Sequence, residues 1–361
     1  MRRSRAPAAC GPGRRERAGG GGRCPRARPA RLRRRAPRRR RARLPPGRGG
    51  RVSRLGLLNL GALLAALAGT LALGARGASL RDAAPARSSS ESLRDATGVA
   101  VPVAPYARVV SASTVADQVL LELVARERVA ALTAYGARTS PTPWRYAGLE
   151  TIDALDDLEA ILALEPDLVV VSNVASSRRV ARLREAGLRV FDLGPMGGRA
   201  TLLEDVRQLA ALLAVPARGE ALAERFARRL DAVAPPPGPD APRALYVQRL
   251  GAEIYGGAAG TSYHDVLEAA GLRDAAAEAG REGWPRYAAE ELLALDPDLL
   301  VTPAGGEEAV CRFPGLDALR ACRGGRVVGV DDALLGDPGF GMLGAAEALV
   351  DAQARLDPPG R

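Results

Sequence analysis

Lysine is absent from all 361 residues, and His264 is the only histidine. Without lysine there is no phosphate-binding loop of the nucleotide-hydrolase type, because that loop needs a lysine amine. Direct capture of zinc or manganese takes several histidine and acidic ligands, so one histidine argues against a free-metal binder. His264 could still ligate a haem iron, but a polar role at a helix end suits it better. No G-x-S-x-G nucleophile elbow and no paired-histidine metal motif occurs. Together these absences point away from an enzyme. Aromatic residues make up only 4% of the chain, so their placement is informative.

Charge is unevenly spread. Residues 1–50 carry nineteen arginines and one acid, Glu16, giving +18 against a whole-chain +11. The remainder is therefore acidic, at −7. A nucleic-acid reading of the high pI applies to the head alone, since an acidic globular part repels phosphates. Residues 1–50 hold Arg, Pro and Gly with few large apolar side chains, and read as a disordered head. Residues 51–78 have basic flanks, an apolar stretch from Leu55 to Leu73 and small residues at the end. That is a signal-peptide pattern, with export to the periplasm as its consequence and an uncleaved membrane anchor as the alternative. Residues 79–105 read as a polar linker.

Beyond the linker, one unit occurs twice. Leu158–Val171 reads LEAILALEPDLVVV and Ala289–Thr302 reads AEELLALDPDLLVT, identical at eight of fourteen positions when Pro166 is set on Pro297. Leu158, Ile161 and Leu162 fall at i, i+3 and i+4, which predicts a short amphipathic helix. Proline ends it, and the branched run after Pro-Asp reads as a buried parallel strand. Two copies predict an α/β fold of two lobes, each with a mainly parallel central sheet flanked by helices. The N-terminal lobe spans 106–216 and the C-terminal lobe 243–356. Between them, 217–234 reads as one unbroken helix with Leu222, Phe226 and Leu230 at i, i+4 and i+8, a stiff connector. A pair of lobes makes a cleft, and the cleft is the expected ligand site.

The scarce aromatics cluster in loops. Tyr135, Trp144 and Tyr146 precede the first copy of the unit; Trp284 and Tyr287 precede the second; Tyr255 and Tyr263 flank the turn Gly256–Ser262. Strand-to-helix loops at the carboxyl edge of a parallel sheet are where such folds bind ligands. These residues are the candidate walls of a flat, apolar or chelated ligand, with loop packing as the alternative role for each. Arg145 and Arg286 stand beside them and suit ligand carboxylates. Glu159 and Glu290 occupy equivalent helix positions; they compensate the helix dipole or grip a basic partner from both lobes. Cys311 and Cys322 bracket RFPGLDALRA and form a disulfide in an exported protein, or remain as two thiols.

From Ala107 to Leu356 the chain resembles the periplasmic binding proteins of ABC importers for cobalamin, ferric siderophores and haem. The carriers are VVSAS (Val109–Ser113), LEAILALEPDLVVV, GWPRYAAEELLALDPDLLV (Gly283–Val301) and the long helix between. The resemblance implies a monomer that holds a metal chelate between rigidly linked lobes, with no cofactor of its own. It implies delivery to a two-subunit permease, whose arginines meet Glu159 and Glu290. Trp284 matches a pocket tryptophan of the cobalamin binder. The match departs at Thr151–Asp157, which is insertion-like, and in the last loop, where Ala333 and Asp337 replace the family's Asp and Arg. Leu149 stands where haem binders carry a tyrosine, leaving Tyr135 and Tyr146 as candidate iron ligands. The readings from other classes are a chelatase-like or metal-cofactor enzyme component, and a membrane-anchored ligand sensor.

Overall fold

The computed structural model describes residues 91–153, 158–172 and 177–356. The head at 1–50, the signal-like segment at 51–78 and part of the linker lie outside them. In chain order the first half runs β1 (Ser92–Arg94), β2 (Ala100–Pro102), β3 (Val109–Ser111), α1 (Thr114–Leu123), β4 (Val129–Thr133), α2 (Ala134–Thr139), β5 (Thr151–Ile152), α3 (Leu158–Ala163), β6 (Leu168–Val171), α4 (Ser177–Glu185), β7 (Val190–Asp192) and α5 (Arg199–Leu212). Helix α6 (Pro216–Asp231) follows. The second half runs β8 (Arg243–Leu250), β9 (Glu253–Gly256), α7 (Ser262–Ala269), β10 (Arg273–Asp274), α8 (Ala275–Glu278), β11 (Arg286–Tyr287), α9 (Ala289–Leu295), β12 (Leu299–Pro303), α10 (Glu307–Cys311), α11 (Arg320–Arg323), β13 (Val327–Val330), α12 (Asp332–Leu335) and α13 (Gly341–Leu356).

The repeated unit sits in two separate sheets. The N-terminal sheet has strand order β5-β4-β3-β6-β7 and is wholly parallel. In the C-terminal sheet β8, β12 and β13 are parallel, β10 pairs with β8, and β9 and β11 add an antiparallel edge. The two copies share details that spacing alone does not reveal. Glu165 and Asp296, each just before the proline, both take a left-handed backbone, at φ 46° and 35°. A residue before proline avoids the right-handed helical region, so the helix turns off there in both. The aspartate after the proline then ties the unit to the neighbouring strand. Asp167 accepts from the N–H groups of Ala107 and Arg108 at 2.6 and 2.9 Å, and Asp298 from that of Arg243 at 2.9 Å. Arg108 and Arg243 in turn donate to carbonyls at the end of α3 and α9.

Strand alternation sorts the core into three. Val109, Leu168 and Val170 join Ala244, Tyr246, Leu299 and Val301 in one apolar cluster that runs through both lobes. Their neighbours in sequence face outward: Val110, Val169 and Val171 into one cluster, Leu245, Val247 and Leu300 into another. A core shared by both lobes opposes large hinge motion, because separating them exposes apolar surface. Helix α6 belongs to that core through Leu222, Phe226 and Leu230. Its 16 residues give a strut of about 24 Å. Pro216 fills the first helical position, where a missing N–H costs nothing. The helix ends at Asp231, three residues short of the expected Ala234. It packs tightly on α5: a Cβ at Gly219 would come within 2.2 Å of the Ala210 methyl.

Two local expectations are corrected. Residues 79–105 are not all linker, since β1 and β2 form an antiparallel hairpin. It is pinned by the buried Asp95, which accepts from the N–H groups of Thr97 and Val99 and from Arg184 on α4. The Tyr135–Gly148 stretch is not all loop, since α2 occupies its start, capped by the Thr133 hydroxyl. No helix among the described residues is long and apolar enough to cross a membrane.

Cys311 and Cys322 are joined, with 5.5 Å between Cα atoms. Closing a loop of 11 residues limits the unfolded chain by about 3 kcal/mol. Reduction, or Cys311→Ala with Cys322→Ala, is expected to lower unfolding stability by about 2–3 kcal/mol in a denaturant titration. An unchanged midpoint would mean that packing around Leu316 and Leu319 already holds the loop.

Candidate functional site

The cleft is built from the first turns of α1, the α2 segment and the stretch around α12. Ser113 caps α1 by accepting from Ala116 N–H. On the next turn Asp117 is fully buried and accepts from the Thr133 hydroxyl at 2.5 Å and the Thr133 N–H at 3.1 Å. The Thr133 oxygen in turn accepts from Gly136 N–H at 2.9 Å. This chain of bonds fixes where Tyr135 emerges. A Cβ at Gly136 would fall 2.6 Å from Asp117 Oδ2 and 2.7 Å from Thr133 Oγ1, so the approach needs glycine. Burial pushes the Asp117 carboxyl up to about 7, so it is largely protonated at mildly acidic pH.

Polar bonds tie the two lobes together at the cleft and at a second joint. Gln118 of the N-terminal lobe donates to the Asp337 carboxylate at 2.9 Å and accepts from Phe340 N–H at 3.0 Å. Asp337 also accepts from Gly339 and Gly341 N–H at 2.9 and 2.8 Å, which organises the start of α13. Burial raises the Asp337 carboxyl as well. A second tie runs from Asp265 on α7 to the Arg199 N–H at 2.6 Å, capping α5. A Cβ at Gly198 would fall 1.9 Å from Asp265 Oδ2. Ser262 N–H donates to Gly197 carbonyl at 3.1 Å, so the Gly256–Ser262 turn braces this joint.

The enclosed part of the cleft holds about 240 Å³. Ligands that are mostly buried need roughly 300–1,000 Å³, so this cavity grips one edge of a larger molecule. Tyr135, Arg138, Ser140 and Tyr146 line it from one lobe, and Asp332, Ala333, Gly336 and Asp337 from the other. Arg138 is the one cation among these lining residues, and it is paired with Asp153 at 3.5 Å.

The candidate aromatics separate. Tyr135 is 61% exposed at the cleft. Tyr263 stacks flat on Tyr246, with ring centroids 3.8 Å apart, and Tyr135 and Asp332 both raise its hydroxyl pKa, after burial. Trp284 and Trp144 are exposed, on loops beside the Gly256–Ser262 turn and on the turn Pro143–Arg145. Tyr146 is buried; its hydroxyl makes no hydrogen bond and lies 3.0 Å from where a Gly136 Cβ would stand. Burial, then the Asp117 charge, pushes that phenol up. A phenol held protonated is a poor iron ligand, which leaves Tyr135 as the exposed one.

Four candidates do not line the cleft. Tyr287 is turned into the core of the C-terminal lobe, against Gly256. Tyr255 and Arg286 both engage Glu253 on the β9–β11 edge. Arg145 is spent inside its own lobe, on Glu122 at 2.6 Å and the Leu121 carbonyl at 2.9 Å. Proximity in sequence placed all of them near the cleft, but β11 alternation sends Tyr287 inward and Arg286 outward. Sequence reasoning missed Gln118 and Asp265. A lone Gln or Asp on a helix carries no signal of a partner on another lobe.

His264 Nδ1 lies 2.9 Å from Asp274 Oδ2, the polar role at a helix start that its position suggests. No group of three or more His, Cys, Asp or Glu residues among those described could hold a metal ion. On the surface, Glu159 and Glu290 are exposed on α3 and α9 with no ion pair among the described residues. One turn on, Leu162 and Leu293 are 40% and 37% exposed. Each lobe therefore shows a Glu-Leu pair at the same place in its repeat.

The chain is 29% identical to a cobalamin-binding protein of Halobacterium salinarum over 203 residues, 54% of this chain and 53% of that protein. It is 22% identical over 204 residues to an uncharacterised ABC transporter substrate-binding lipoprotein of Bacillus subtilis, 54% of this chain and 64% of that one. It thus spans about half to two thirds of the length of these relatives. Among solved structures, the apo haem-binding protein RhuT of Roseiflexus sp. RS-1 superposes with TM-score 0.56 at 25% identity, covering 68% of this chain and 98% of that one. A periplasmic haem-binding protein of Pseudomonas aeruginosa gives 0.58 at 25%, covering 71% and 94%. A family model, that of the periplasmic binding proteins, matches residues 111–334. The two-lobed α/β architecture and that match agree: the chain belongs to the periplasmic binding protein family.

Proposed function

We propose that this is the solute-binding protein of an ABC importer, taking a metal chelate of little net negative charge, of the corrinoid kind, in the interlobe cleft. The observation that carries the choice is the charge of the cleft lining. That lining holds a single cation, Arg138, while Asp332 and Asp337 face the same space. Haem brings two carboxylates and ferric siderophores commonly a net negative charge, and each wants free guanidinium groups. A corrinoid with amide side chains needs hydrogen-bonding hydroxyls and aromatic faces, which Tyr135, Thr139 and Ser140 supply in the cleft lining. The cobalamin-binding relative supports the same choice. Haem is the second reading, favoured by the exposed Tyr135 hydroxyl as an iron ligand and by the haem-binding structural relatives.

On this reading the protein works outside the cytoplasm and breaks no bond. Glu159 and Glu290 dock the loaded protein on the permease, with Leu162 and Leu293 as the apolar part of each contact. Titration with cyanocobalamin, haemin and a ferric catecholate tests the ligand. Saturable one-to-one binding is expected for cyanocobalamin, and Tyr135→Ala is expected to weaken it about tenfold, a stacking and hydrogen-bond loss of ~1.4 kcal/mol. Tighter binding of haemin, abolished by Tyr135→Phe, would transfer the assignment to haem.

A further inference from the structure

The described residues hold a groove larger than the enclosed part of the cleft. It encloses about 490 Å³ on the flank, where α1, the Pro141–Arg145 turn, α6 and α13 meet. It shares only Gln118 and Pro141 with the lining of the cleft. Its walls belong to both lobes and to the strut between them.

Floor and rim differ in chemistry. Leu222, Phe226, Phe340 and Leu343 form an apolar floor, with the two phenylalanine rings 5.3 Å apart and tilted by 59°. The rim carries Arg145, Arg225 and Arg229 against Glu122 and Glu347. Both oxygens of Glu122 are engaged, by Arg145 at 2.6 Å and Arg225 at 3.3 Å. Arg229 comes no nearer than 3.9 Å to Glu347, beyond hydrogen-bond reach. Arg225 and Arg229 are one turn apart on α6, on the same helical face. Each guanidinium has five N–H donors, and few of these are used. An apolar floor under surplus guanidinium donors is complementary to an anion with an apolar body.

We propose that this groove is a second ligand site, for a small amphipathic carboxylate. An occupant touches α1, α6 and α13 together, so it braces the two lobes against one another from behind the cleft. The assignment does not rest on which chelate the cleft takes.

Calorimetry and thermal melts of the full chain with octanoate test it, with 1-octanol and acetate as the probes lacking charge or apolar body. Octanoate is expected to bind saturably and raise the melting temperature, with octanol and acetate at least about tenfold weaker. Arg225→Gln with Arg229→Gln is expected to weaken octanoate about tenfold while leaving chelate binding in the cleft within about twofold. Arg225→Lys with Arg229→Lys keeps the charge and is expected to retain most of the affinity, which guards against misfolding of the glutamine variant. Equal binding of octanol and octanoate would reduce the groove to an apolar crevice. Unchanged affinity in the glutamine variant, or no saturable binding by octanoate, would overturn the proposal.

Discussion

Replacing Glu159 and Glu290 together with arginine is expected to abolish chelate uptake in cells while chelate affinity stays within about twofold. Both carboxylates are exposed and have no ion pair within the described chain, so reversal disturbs no internal bond. On the proposed docking to a permease, their effect falls on the partner. Reversing a charge at a docking contact turns attraction into repulsion at both ends of the molecule, and like charges facing one another cost several kcal/mol. That corresponds to at least about a hundredfold loss of productive docking. Either single reversal leaves one lobe anchored and is expected to cost less than half of the double effect in free energy. Leu162→Ser with Leu293→Ser tests the apolar half of the same contact and is expected to give a loss of about tenfold. Uptake assays with surface-exported variants, alongside titration of the purified proteins, separate docking from binding. Uptake that survives the double reversal would remove these residues from the permease contact.

Stability is expected to fall as pH rises from 5 to 8. Burial holds the Asp117 and Asp205 carboxyls at about 7, and raises Asp265 and Asp337 too. A carboxyl whose folded pKa is raised binds its proton more tightly in the native state. Its cost is absent below the unfolded value near 4 and grows as pH climbs through the window up to the folded value. His264 acts in the same direction. The hydrogen bond that it donates to Asp274 raises it, so its contribution is present below the unfolded value near 6.5 and is lost as pH passes the folded one. The carboxylates lowered by arginine partners, such as Glu220, Asp231 and Asp296, oppose this only below about pH 4–5, and they are exposed and screened. The balance is a loss on the order of a few kcal/mol between pH 5 and 8, or roughly 5–10 °C in melting temperature. Asp117→Asn and Asp205→Asn are expected to flatten the slope. A melting temperature that rises over this interval would contradict the assignment.

Much of the architecture was written in apolar periodicity. The duplicated helix, proline and strand predicted two sheets, and the Leu222-Phe226-Leu230 stripe predicted the strut, because burial selects branched and aliphatic residues at fixed spacing. What spacing did not disclose are the polar ties. Gln118 to Asp337 spans 219 positions, and nothing in either residue type announces the other. The β1–β2 hairpin escaped for a related reason: its fold depends on one buried aspartate more than on an apolar pattern. In the cleft, the sequence located the right loops but not the faces. Arg145, Tyr255, Arg286 and Tyr287 lie near the correct elements and are turned to other tasks, while Tyr135 lines the cleft and Tyr263 stacks on Tyr246. A loop position fixes a neighbourhood, whereas the direction of a side chain depends on pleat and pairing.

The account stands on a chelate seated between two lobes that are already bolted together. Anomalous scattering from cobalt, in crystals of the protein grown with cyanocobalamin, locates the metal directly. The account predicts one peak in the cleft, between Tyr135 on one side and the Asp332–Asp337 segment on the other, with the Gln118–Asp337 bond intact. A peak outside the cleft, or no ordered metal at saturating ligand, would contradict it.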